Sequence, residues 1–248
     1  MSHNCHIVAD TSRMSTLSRM NYCTEATWKP FGARVVADSR ATDAWLQARA
    51  ERLTASQAAG AIGMSRWTDF DRILAEKRGE VSKWDPSQPA RFGQWREECN
   101  LRILGEVLGV VPVANTLLLE REGRPEMACT PDGLLELPPG AFRAYLFDEW
   151  PDTAQRTRFY ALMAEYGRCP VDVKSVGAKN DYLWRDGAPT EYEVQMQCDL
   201  AVLRWPFGLV AAFIDSCRLR CCLVERDEIT SELLWDAAAR LREALTAR

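Results

Sequence analysis

Residues 171–176 read Val171-Asp172-Val173-Lys174-Ser175-Val176. Side chains of an extended chain alternate with period two, so Val171 and Val173 point to one face. Asp172 and Lys174 share the other, roughly 7 Å apart by strand rise. Two readings stand side by side: a half-exposed strand carrying a surface ion pair, or a strand that presents an acid and a lysine to a common site. The flanking sequence is helical in pattern, over 153–166 before and 191–203 after. Further strands are predicted at 207–214 and 218–224, with a last amphipathic helix at 231–247. Strands interspersed with helices imply an α/β or α+β chain.

Working toward the N-terminus, 110–120 and 127–137 are strand-like, the second interrupted by Pro131-Asp132-Gly133. This tripeptide is by itself a standard β-turn signature, so Asp132 is either a turn residue or a placed carboxylate. Residues 92–108 carry a helical pattern ended by Gly109. At 100° per residue, Trp95, Cys99, Leu101, Ile103, Leu104, Val107 and Leu108 fall in one broad arc, with Glu97 inside it and Glu98 outside, facing Arg102 at i+4. An inward carboxylate is expensive unless paired or metal-bound, which singles out Glu97. Arg96 falls in the arc too. Residues 43–52 and 69–78 are further helices. The small-residue segment from Thr54 predicts a helix opened by Ser56, a place for either an N-cap or a phosphate. Residues 1–40 lack sustained periodicity and are expected to form a loosely ordered leader. Residues 41–248 are expected to form one domain, with 138–168 as an insertion containing Trp150, Phe159 and Tyr160.

The 248 residues suffice for one large α/β domain without a disulfide or metal staple. The hydrophobic fraction of 47% and charged fraction of 27% exclude a disordered or fibrous chain. The longest uncharged apolar run, 205–214, is far too short to cross a bilayer, and no signal-peptide core precedes it, so a cytoplasmic protein with no membrane partner is expected. A net charge of −4 excludes a purely electrostatic nucleic-acid binder; basic residues for DNA must be grouped on one face. Nine cysteines, with no C-x-x-C pair, fit a reducing compartment. Cys217, Cys221 and Cys222 would need a distant fourth thiolate to hold an iron–sulfur cluster, so buried thiols are the simpler reading.

Glu97, Asp132 and the Asp172-x-Lys174 pair together supply hard oxygen ligands and an ammonium, the set that a magnesium-dependent phosphodiesterase uses. Gln195, a neutral carboxamide on the following helix, suits positioning without added charge. In order, the segments 43–49 (DAWLQAR), 53–56 (LTAS), 92–97 (FGQWRE), 128–134 (ACTPDGL), 171–174 (VDVK), 192–197 (YEVQMQ) and 224–228 (VERDE) resemble the YqaJ-like viral recombinases, the phage lambda exonuclease family of the PD-(D/E)XK nuclease superfamily. The resemblance runs from about residue 43 to the C-terminus.

The resemblance implies a restriction-endonuclease-like α/β core, a central mixed sheet flanked by helices. It also implies a Mg²⁺-dependent DNA exonuclease, Mn²⁺ substituting, that acts 5′-to-3′ at double-stranded ends in phage-type recombination. Asp132, Asp172 and the Val173 carbonyl would hold the metal, Glu97 would complete a second site, Lys174 would activate water and Gln195 would support them. Arg49 and Ser56 would bind the 5′ phosphate. A phage single-strand annealing protein, a homo-oligomer (a ring trimer) and the bacterial host cytoplasm are implied as partner, assembly and compartment. The alternatives are a structure-specific or nicking endonuclease on the same core and a non-catalytic DNA-end-binding subunit. Two departures from the family pattern stand out: Asp172 occupies a position where many relatives carry Glu, and 39 residues separate Asp132 from Asp172, many more than in lambda exonuclease.

Overall fold

The computed structural model describes residues 20–81, 88–138, 150, 153–215 and 217–247, with side chains of the helix beginning at 88 described from Phe92 onward. In chain order the elements are α1 (Glu25–Trp28), β1 (Ala33–Asp38), α2 (Thr42–Ala50), β2 (Leu53–Thr54), α3 (Ala58–Ala61), α4 (Phe70–Arg78), α5 (Gln88–Leu108), β3 (Val111–Ala114), β4 (Leu117–Arg121), β5 (Arg124–Cys129) and β6 (Gly133–Glu136). They continue with α6 (Thr153–Tyr166), β7 (Arg168–Val176), α7 (Thr190–Leu203), β8 (Phe207–Ile214), β9 (Arg218–Glu225) and α8 (Glu228–Thr246). Two mixed sheets replace the single central sheet of the sequence reading: β3-β6-β7-β8-β9 and β1-β4-β5-β2. Within them β7 runs parallel to β8 and β2 parallel to β5; the other pairings are antiparallel.

The join between the sheets is one long hairpin that bends. β3 pairs with β6 in the first sheet, β4 with β5 in the second, and the tight turn lies at Glu122-Gly123, where Gly123 takes φ +77°. Pro131-Asp132-Gly133 is therefore a sheet-to-sheet bend and not a hairpin turn. The opposing bend at Asn115-Thr116 divides the single strand predicted over 110–120. Asn115 pins the two bends together. Its N–H donates to the Asp132 carbonyl at 2.9 Å, its side-chain amide donates to the Pro131 and Leu117 carbonyls at 3.0 Å, and its Oδ1 accepts from Trp28 Nε1 at 3.0 Å.

That last bond corrects the expectation for the leader. From residue 20 onward the segment is ordered: Trp28 and Phe31 are buried, Cys23 N–H donates to the Ala114 carbonyl, and β1 forms an edge of the second sheet. Residues 1–19 lie outside the described residues, as do 139–149 and 151–152 of the expected insertion. The helix predicted at 153–166 forms as α6, with Phe159, Leu162 and Met163 buried.

The remaining helices follow from local signals. Asp69 caps α4 by accepting from Arg72 N–H at 2.8 Å, and Gly79 ends it with φ +73°. Asp227 caps α8 through Thr230 N–H at 2.7 Å. α7 packs against strands of both sheets and is buried continuously from Met196 to Leu203. Gln197 fastens it by donating to the Glu225 carbonyl at 2.8 Å and accepting from Asp227 N–H at 2.9 Å. The eight described cysteines are free; of the three expected to be buried thiols, Cys221 and Cys222 are buried on β9, whereas Cys217 is exposed. No helix among the described residues is long and apolar enough to cross a membrane.

A β-carbon at Gly133 would lie 2.7 Å from the Val113 carbonyl and 3.3 Å from Leu101. The carbonyl is fixed by the bent hairpin and has nowhere to move. Gly133→Ala is therefore expected to destabilise the protein by about 1–3 kcal/mol, read from the urea midpoint. Gly123→Asn, at an open turn of positive φ, should change it by only a few tenths of a kcal/mol.

Candidate active site

Asp132 sits on the bend and Asp172 on the central strand β7, and each carboxylate is held by the other's segment. Asp132 Oδ2 accepts from Val173 N–H at 2.8 Å, and Asp172 Oδ1 accepts from Asp132 N–H at 3.4 Å. Val171 and Val173 face the core, while Asp172 is fully buried and reached by Lys174 Nζ at 3.3 Å from Oδ2. The surface-ion-pair reading of the strand therefore fails: this pair is inside. Lys174 Nζ also lies 5.5 Å from the ring of Tyr192, which stacks on Trp184. Tyr192 opens the turn of α7 that carries the half-buried Gln195.

Glu97 reaches the same cluster from α5. The inward row of that helix is Glu97, Leu101, Leu104 and Leu108, at spacings of four, three and four. Trp95, Cys99 and Ile103, counted inward by the helical arc, are exposed. Apolar residues occupy more of this helix than its packing covers, so the arc pointed correctly for Glu97 and wrongly for these three. Glu98 is outside as expected, near Arg102 and accepting from the Tyr22 hydroxyl. Asn100 ties α5 to β7 by donating to Ser175 Oγ at 3.1 Å.

Negative charge exceeds positive charge in this interior. Burial, then repulsion from Asp132 and Asp172, pushes the Glu97 carboxyl up to about 8, against the pull of Lys174. Burial and then Asp172 push Asp132 up to about 7, opposed by Lys174 and the Val173 N–H. Burial works against the Lys174 ammonium, but Asp172 and Asp132 outweigh it and raise its pKa, so it stays protonated. Asp199, one turn beyond Gln195 on α7, adds a fourth buried carboxyl. It lies beside the Cys129 thiol, has no hydrogen bond of ordinary geometry, and is raised well above its usual range by burial and Asp172.

Among the described residues, no three acidic, histidine or cysteine side chains already stand close enough together to hold a metal ion. The donor chemistry nevertheless fits a hard divalent cation: carboxylate oxygens crowd a buried space that a single lysine leaves under-neutralised. Asp199, Asn100 and Asn115 were missed in the sequence. Only Asp199 left a signal there, as a lone acid in the apolar run Met196-Gln197-Cys198-Asp199-Leu200-Ala201.

Arg49 and Ser56 do meet. Arg49 donates to Ser56 Oγ at 3.2 Å and to Thr54 Oγ1 at 3.4 Å, and its guanidinium lies 4.5 Å from the Trp45 ring centre. Among the described residues it has no acidic partner, and burial lowers its pKa to about 10. Ser56 lies within a 3-10 turn at Ala55–Gln57 ahead of the four-residue α3, so the helix-N-terminus argument for it does not hold; its hydroxyl is presented by the turn. The pair lines a cleft of about 1210 Å³ that extends to Gln94, one helical turn before Glu97 on α5.

With this geometry in hand, the fold has solved counterparts. An alkaline exonuclease (LHK-Exo) from Laribacter hongkongensis superposes with a TM-score of 0.58 at 16% identity, over 83% of this chain and 93% of that one. The same enzyme in complex with dAMP matches at 0.58 and 18%, over 82% and 92%. A phage-related exonuclease from Haemophilus somnus 129PT matches at 0.50 and 12%, over 78% and 94%. At these identities the likeness establishes the restriction-endonuclease-like α/β fold. No curated protein matches the sequence. The model of the YqaJ-like viral recombinase domain matches residues 44–204, a span that contains the bend, the β7 carboxylate and lysine, Glu97 and the Arg49 cleft, and the chain belongs to that family.

Proposed function

We propose that this protein is a metal-dependent DNA exonuclease that hydrolyses phosphodiester bonds at double-stranded ends, 5′-to-3′, in phage-type recombination. The observation that carries this reading is the Asp132–Asp172–Lys174 cluster, joined by Glu97 and adjoining a cleft whose half-buried Arg49 has no acidic partner among the described residues. Asp132, Asp172, the Val173 carbonyl and Glu97 would hold Mg²⁺ or Mn²⁺. Such an ion draws charge from a phosphate and acidifies a bound water. Lys174, kept protonated by its acids, offers an ammonium to the developing negative charge, and Gln195 orients groups without adding charge. Arg49 and Ser56 would hold a terminal phosphate, which favours an end-directed enzyme over a nicking one. The 3′ overhang would pass to a phage single-strand annealing protein. A homo-oligomer, a ring trimer by family resemblance, in the host cytoplasm completes this reading.

The metal reading is tested by pH. Glu97 and Asp132 titrate higher in the folded chain than their ordinary values of 4.5 and 3.8. Between the ordinary range and about pH 8 the folded state therefore binds more protons than the unfolded state, and stability falls as pH rises. Thermal melts in EDTA should show this fall, and Glu97→Gln should flatten it. Mg²⁺ should raise Tm more at pH 8 than at pH 6, because it competes with those protons. Full nuclease activity in EDTA would overturn the metal reading.

Lys174→Ala should slow cleavage by about 10²-fold or more while leaving DNA-end binding largely intact, as read by single-turnover digestion and gel shift. Glu97→Gln should cripple cleavage, whereas Glu98→Gln should leave it near wild type; equal effects would mean that the inward row of α5 is wrongly identified.

Arg49→Ala should slow digestion of 5′-phosphorylated duplex far more than of 5′-hydroxyl duplex, removing the difference between them. Matched substrates differing only in that phosphate supply the measurement, and a preference that survives the substitution assigns the phosphate to another residue.

A further inference from the structure

The Arg49 cleft carries groups suited to an anion, and its lining also includes an aromatic residue without an assigned role. Trp67 lines the same cleft, yet 74% of its surface is exposed, the most among the large hydrophobic residues described. The ring is not loose. Arg66 lays its guanidinium 4.7 Å from the indole centre, and the same Arg66 pairs with Glu191 at 3.4 Å, at the start of the helix that carries Tyr192 and Gln195. Trp67 N–H donates to Ser65 Oγ at 3.1 Å. The next residue, Thr68, is seated against Gly60 so closely that a β-carbon there would strike Thr68 Cγ2 at 2.5 Å and its carbonyl at 3.1 Å. The loop thus presents an indole on the lining of the cleft with a cation over one of its faces. Two buried polar atoms of the lining, Trp45 Nε1 and Thr68 Oγ1, have no hydrogen-bond partner among the described residues.

We infer that Trp67 is the base-stacking residue of this cleft: its open face receives the terminal nucleobase of the DNA end whose phosphate Arg49 and Ser56 hold. The inference rests on the DNA-end reading above and deepens it. A nucleotide is the ligand that pairs an anion with an aromatic plane, and the cleft lining offers both a guanidinium with hydroxyls and a cation-backed indole. Stacking on an aromatic side chain accepts any base, as an enzyme that consumes whole strands requires. The cation behind the ring also fits an anionic strand better than it fits an apolar protein surface.

The test uses 5′-phosphorylated duplexes whose terminal nucleotide is either normal or an abasic tetrahydrofuran, digested by wild type, Trp67→Ala, Trp67→Phe and Arg49→Ala. Wild type should start about tenfold more slowly on the abasic end. Trp67→Ala should treat the two ends alike, Trp67→Phe should retain most of the difference, and Arg49→Ala should slow both ends in parallel. A 2-aminopurine placed at the 5′ terminus, bound in Ca²⁺, should be quenched by wild type and Trp67→Phe but not by Trp67→Ala. Because Trp67 is largely exposed, the alanine variant should melt as wild type does, which separates misfolding from lost stacking. Equal quenching by wild type and Trp67→Ala, or an abasic penalty that survives the substitution, overturns the inference. Wild type that digests DNA ends without any abasic penalty sinks the stacking residue alone, whereas wild type that neither binds nor digests ends sinks the DNA-end reading beneath it.

Discussion

Two carboxylates, each fixed by a backbone N–H near the other, hold this molecule's two sheets in register. Asp132 accepts from Val173 N–H and Asp172 from Asp132 N–H, across the point where a single hairpin leaves one sheet and enters the other. A bend between sheets breaks the ladder, and broken ladders leave backbone groups that need partners. Asn115 takes up that task from the facing strand, binding the Pro131, Asp132 and Leu117 backbone and anchoring itself on Trp28. The carboxylate pair is thus placed by the same bonds that complete the fold, which is why the site is rigid without lying on a regular element.

That placement has an electrostatic consequence. Asp172 and Asp199 are fully buried and Glu97 and Asp132 half-buried, and Lys174 is the ammonium set among them. Charges removed from water repel one another strongly, so Glu97, Asp132 and Asp199 retain protons above the ordinary carboxylate range. On the proposed metal reading a divalent cation would offset this repulsion, and its occupancy and the stability of the fold would then be two expressions of one interaction. Asp199 belongs to this balance. Its carboxyl lies one turn from Gln195 and is itself raised by burial and by Asp172.

α5 joins the two halves of the functional surface. Its inward row carries Glu97 to the carboxylates, while Gln94, one turn earlier, lines the cleft of Arg49 and Trp67. α7 runs from the other side, with Glu191 holding Arg66 near the cleft and Tyr192 against Lys174. The cleft and the carboxylate cluster are thus joined by one turn of α5, from Gln94 to Glu97.

Local sequence sufficed for the alternation of β7, the inward position of Glu97, the helix over 69–78 stopped at Gly79 and the ordered motifs of the family, because each is written in residues close together in the chain. It misread what depends on distant partners. The strands predicted at 110–120 and 127–137 are single runs locally, and only pairing across the hairpin divides them between two sheets. Trp95, Cys99 and Ile103 are as apolar as their inward neighbours, and only packing decides which face is covered. The order of residues 20–40 is decided by Trp28 and Phe31 entering a core built mostly from later sequence, so no local periodicity announces it. Periodicity records the shape of one element; the burial of Asp172, the role of Asn115 and the meeting of Arg49 with Ser56 record contacts between elements, and these exist only once the chain has closed on itself.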